Sequence, residues 1–111
     1  MDQSVQKLMD WLTAQGGETL VIDKQEMKDL DTVHFNLETV DYRDAEDVID
    51  EYLDSALILR GTGNTINRDG ELVPLPQLNY EIAVSGLQLD EVNDERVELR
   101  TDRAKYSISK S

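Results

Sequence analysis

The chain predicts an α+β fold: an N-terminal amphipathic helix packed on a curved antiparallel sheet of five to six strands, with a second short acidic helix. Three observations carry this. Val5, Leu8, Met9 and Leu12 recur at the spacing of one helical face and end at Gly16-Gly17. Val33, Phe35 and Leu37, and later Tyr80, Ile82 and Val84, alternate with polar residues in the period of a half-buried strand. Asn67-Arg68-Asp69-Gly70 is a turn signal, because Asp-Gly accepts the positive φ that hairpins demand.

Taken in order, Ser4 is the expected cap of the first helix, and Trp11 lies beside its apolar face. The polar face lacks the Lys/Arg richness of a membrane-surface helix, so packing against the sheet is the expected role. Thr19–Asp23 predicts a short strand around Leu20, Val21 and Ile22. Lys24–Asp31 is polar and ambiguous between a turn of helix and a strand edge. At Val40 and Tyr42 the apolar parity switches from odd to even, which predicts a bulge or twist.

In Asp41–Asp54 the residues Ala45, Val48, Ile49, Tyr52 and Leu53 fit a helix, with Asp44 as its cap. Periodicity alone extends this helix to Leu59. The aliphatic run after it and the need for sheet partners place its end near Ser55. Ala56–Ile66 then reads as a strand softened by Gly61 and Gly63. Pro74 and Pro76 remove two amide donors and put Leu72–Pro76 on an edge. Tyr80–Val84 is the clearest strand and is expected at the centre of the sheet. Leu87 and Leu89 pair with Val97 and Leu99 across a turn near Asn93-Asp94, and Ala104, Tyr106 and Ile108 form the last strand. Their parity requires a bulge or tight turn at Thr101-Asp102-Arg103.

The 111 residues fit one globular domain, residues 1–111, and 39% apolar content supplies a modest core. With no cysteine there are no disulfides, thiolate metal sites or cysteine nucleophiles, which fits a reducing compartment. No apolar run reaches the ~18–20 residues of a membrane span, and MDQSVQKLMDWL has neither a basic start nor a small-residue cleavage site. The expected location is the cytoplasm. The net charge of −13 disfavours direct contact with nucleic acid or anionic lipid. Five basic residues (Arg96, Arg100, Arg103, Lys105 and Lys110) against Glu98 and Asp102 leave the last stretch positive. Either this tail pairs with acidic neighbours across strands or it stands apart as a small positive patch.

No catalytic, cofactor or metal set is legible. Gly61-Thr62-Gly63 lacks the third glycine, the Gly-Lys-Ser/Thr and the following helix of a phosphate loop. His34, the only histidine, shares an outward face with Asn36 and Glu38, and no nucleophile stands at readable spacing from it. The acidic run lacks the calcium-loop pattern. Asp44, Asp47, Asp50, Glu51 and Asp54 read as a solvated helix face or, more sharply, as a surface for a basic partner protein. Arg60, emerging from Leu57-Ile58-Leu59, is expected in a buried ion pair or against a ligand. The reading that follows is a small acidic non-enzymatic interaction or adaptor module without a cofactor. A small-molecule-binding sheet or half-barrel, motivated by Tyr80, Tyr106 and the softened strand, would require an enclosed apolar pocket. An acidic nucleic-acid mimic would require carboxylates in rows at phosphate spacing. The oligomeric state is not readable.

Overall fold

In the computed structural model, which describes residues 2–44, 55–66 and 69–111, a helix lies over one face of an open antiparallel sheet. Asp2, not Ser4, caps the helix α1 (Gln3–Thr13): its backbone is extended and its carboxylate accepts from the Ser4 amide at 3.4 Å. Both residue types cap well, and the chain turns helical just before Ser4, which leaves Ser4 inside the first turn. Val5, Leu8, Trp11 and Leu12 form the buried stripe. After the helix, Gly17 takes φ +87, its amide bonds the Leu37 carbonyl at 2.8 Å, and the chain turns into the sheet.

Trp11 does more than fill space. Its indole Nε1 donates to the Asn93 carbonyl at 2.7 Å, tying the helix to a turn more than eighty residues away. Trp11→Phe keeps most of the ring but orphans that carbonyl, so it should cost about 1–2 kcal/mol in urea unfolding followed by circular dichroism. A loss below ~0.5 kcal/mol would mean that water replaces the indole without penalty.

The strands are β1 (Thr19–Glu26), β2 (Asp29–Arg43), β3 (Ala56–Ile66), β4 (Leu72–Pro74), β5 (Asn79–Ala83), β6 (Gln88–Val92), β7 (Arg96–Arg100) and β8 (Lys105–Lys110). Their order is β4-β3-β2-β1-β8-β7-β6, with β5 also on β3. The expected five to six strands become eight among the described residues because short edge pieces complete the sheet. The ambiguous polar stretch is a β1–β2 hairpin, turning at Met27 with φ +55. The parity switch in β2 is real: its pairing with β3 shifts register between Leu37 and Thr39, so that Val33, Phe35 and Leu37 before the shift and Val40 and Tyr42 after it pack on the same core.

Two other boundaries can be placed. β3 begins at Ala56, so residues 56–59 are strand and not the end of a helix that periodicity would carry to Leu59. The predicted acidic helix itself lies outside the described residues, apart from a non-helical Asp44. β5 is not central. Among the described residues it pairs with β3 alone and shares that edge with β4, which β3 permits by being 11 residues long. Alternation in a sequence reports which face is buried, not how many neighbours a strand has.

β6 and β7 form the expected hairpin, with Leu89 opposite Leu99 and Val92 opposite Val97. The Asn93 side chain accepts from the Glu95 and Arg96 amides at 2.9 and 3.0 Å and so builds the turn. Thr101 closes the next turn onto Ala104, as the parity of the last strand requires. The core gathers Leu8 and Leu12 from the helix with Leu20, Ile22, Phe35, Leu57, Leu59, Ile82, Val97, Leu99 and Ile108 from the sheet. No helix among the described residues is long and apolar enough to cross a membrane.

Candidate interaction groove

The inner face of the sheet is longer than the helix that covers it. Beyond the helix, the β1–β2 hairpin, the end of β3 and the chain from Leu75 to Glu81 enclose an open groove of about 370 Å³. Lys24, Asp31, Val33, Thr65, Leu75 and Tyr80 are among its walls, and no residue of α1 reaches it. The floor follows from one small residue. Gly63 faces Phe35 across β2–β3, and a methyl group there would lie 2.7 Å from the Phe35 ring and 2.9 Å from the Leu75 side chain. Without that methyl, Phe35 and Leu75 close over the backbone, and Tyr80 packs tilted against Phe35 with ring centroids 6.3 Å apart. Beside these packed side chains the groove stays open to solvent.

The charges around it are unequally committed. Lys24 stands opposite Asp31 in the hairpin register, yet its Nζ lies 3.5 Å from Glu26 and 5.9 Å above the centre of the Tyr106 ring. Burial raises the Tyr80 phenol well above its ordinary value, with Tyr106 and Asp31 adding to the rise. Tyr106 is pushed up to about 12, by burial first and then by Glu26, with Arg103 opposing. Both tyrosines are therefore neutral hydrogen-bond donors at physiological pH.

This has a testable consequence at high pH. An unfolded tyrosine ionises near pH 10, so folding raises both phenols, and the stability they carry is complete below that pH and is lost as pH rises through the folded values. Stability should fall from about pH 10 towards pH 12, with a lagging fraction of the tyrosinate absorbance. Tyr106→Phe should flatten that fall; an unchanged slope would show that Tyr106 ionises freely in the folded chain.

On the outer face Arg60 pairs with Asp41, and both side chains are about half exposed, at 49% and 55%. The ion pair expected of Arg60 exists, but at the surface and away from the groove. Alternation along β3 explains this: Leu57 and Leu59 point inward, so Ile58 and Arg60 point out. Arg43 reaches Glu81, Arg96 reaches Glu98, and Arg100 holds Asp90 through two bonds of 2.8 and 2.9 Å. That bidentate contact keeps the Asp90 carboxyl below the usual carboxylate range. Two residues of the basic tail thus pair with acidic side chains, Arg96 with Glu91 and Glu98 and Arg100 with Asp90. His34 sits half-buried between Val21 and Asn64. Gly61-Thr62-Gly63 lies inside β3 and opens no helix.

Of the acidic residues expected to face a partner, Asp44 is half-buried just after β2; Asp47, Asp50, Glu51 and Asp54 lie outside the described residues. Among the described residues, no three His, Asp or Glu side chains converge as a metal site would require. Sequence reasoning singled out Tyr80 and Tyr106, which do share the inner face, but it missed Lys24, Asp31 and Leu75. Only the hairpin register could have revealed the first two, by setting a lysine opposite an aspartate.

The geometry defines a class: an open-sheet α+β domain with a partly apolar groove at the uncovered end of its inner face. The chain belongs to the YmzB-like protein family, whose model matches residues 1–111. It is 36% identical over 108 residues to a Bacillus subtilis (strain 168) protein described as uncharacterized protein YmzB, covering 92% of this chain and 91% of that one. No solved structure matches it.

Proposed function

We propose that the protein is a non-catalytic interaction module of the cytoplasm that docks a partner protein in the groove and along the β4–β5 edge. One observation carries this reading: apolar side chains are exposed beside the groove. Leu72 and Leu78 are 59% and 71% exposed and Val73 39%. Val73 lies opposite Thr65, which lines the groove, and Leu78 falls within the chain that forms its wall. Apolar residues gathered at an open groove and a short sheet edge mark a surface for another chain. The openness of the groove supports a macromolecular segment over a small molecule, which would be bound by enclosure. The absence of cysteine fits the reducing compartment.

Selection of a displayed library of random peptides on the wild-type protein tests this. Peptides enriched on the wild type should bind the Val73→Ser/Leu78→Ser variant about tenfold more weakly or worse, since each substitution removes exposed apolar contact. An empty selection, or equal binding to both proteins, would overturn the reading.

A further inference from the structure

We infer that the groove reads a lysine or arginine side chain carried on an extended, otherwise apolar segment of the partner; this rests on the docking role proposed above. The carboxylates near the groove are unequally placed. Glu81 borders it, but its side chain turns with Ile58 to the outer face, where Arg43 holds it; Lys24, also in the groove lining, lies nearest Glu26 and the face of Tyr106. Asp31 is different: it is exposed, it faces the groove, and it forms no ion pair with any described residue. A carboxylate with no ion pair among the described residues, beside the Tyr80 ring and the apolar walls of Val33 and Leu75, suits a cationic group with an aliphatic stem. The head would meet Asp31 and the stem would lie along the aromatic and aliphatic floor. The net charge of −13 favours the approach of such a segment from a distance.

The extended form follows from the backbone. The Val84 amide bonds the Ser55 carbonyl at 3.0 Å, and the Gly61 amide bonds the Leu78 carbonyl at 3.1 Å. In an antiparallel pair the bonding direction alternates, so the even-numbered residues of this stretch serve β3 and the backbone groups of Asn79 and Glu81 point away from it. Both residues line the groove, and among the described residues β5 has no second strand beside it. A partner strand can therefore add to β5 through main-chain bonds, with side chains giving specificity. From that edge a long cationic side chain would cross Tyr80 towards Asp31.

The test uses peptides from the same displayed library, resynthesised with their arginine or with citrulline, which keeps the shape and removes the charge. Arginine-bearing peptides should dominate the selection and bind the wild type about tenfold more tightly than their citrulline forms. Asp31→Asn, an exposed substitution, should erase that difference and leave the affinity of the citrulline forms unchanged. Enriched peptides without lysine or arginine, or an Asp31→Asn variant that weakens both forms alike, would overturn the inference and leave the docking role standing. Failure of the docking role itself shows separately, as a selection that enriches nothing.

Discussion

Gly61→Ala should cost about 3 kcal/mol of folding stability, and Gly61→Val more. The cause is backbone meeting backbone. A methyl group on Gly61 would lie 1.9 Å from the Asn36 carbonyl oxygen and 3.1 Å from its carbon, on the strand to which β3 is paired. Gly61 also sits at φ +156, opposite Leu37, where the β2–β3 register shifts. No side-chain rotation relieves such a contact; one of the two longest strands must move. Gly63→Ala makes the useful contrast. Its methyl would meet side-chain carbons of Phe35 and Leu75 at 2.7 and 2.9 Å, atoms that can turn aside, so about 1–2 kcal/mol is expected. Urea midpoints at constant m-value measure both. A Gly63→Ala cost larger than that of Gly61→Ala would show that the bulge, not the side-chain layer, is the compliant part of this sheet.

The same two glycines show what could be read from the chain and what could not. That β3 would be softened at Gly61 and Gly63, and that β2 would change parity before Val40, followed from local patterns that structure had to respect. Why each glycine is needed did not follow, because the atoms in question belong to Asn36, Phe35 and Leu75, and only strand pairing brings them there. Arg60 makes the point in reverse. An arginine after three aliphatic residues invites burial, yet period-2 geometry turns it out to Asp41. Asp31 was not legible as a groove residue for the same reason: it stands in a polar stretch, and Tyr80 comes beside it only through the sheet. The core is encoded locally; the groove is encoded in register.

That dependence makes Phe35 the residue whose loss should reach furthest. It is fully buried in β2, backs onto Gly63 and supports the tilted Tyr80 ring, so it joins the core under the helix to the floor of the groove. Phe35→Ala should cost about 3–5 kcal/mol, the transfer of the ring plus the cavity it leaves. Against a total of about 5–15 kcal/mol for a domain of this kind, that loss brings the protein near its unfolding threshold. Phe35→Leu, which refills most of the volume, should cost under about 1.5 kcal/mol. The pair separates two roles. If Phe35 acts only by filling space, Phe35→Leu will keep the alkaline titration of Tyr80 and the affinity of selected peptides. If it orients Tyr80, Phe35→Leu will stay folded while tyrosinate appears at lower pH and peptide binding weakens. The tilted ring contact and the tight fit over Gly63 favour the second outcome, since a branched aliphatic chain offers Tyr80 no ring to pack against.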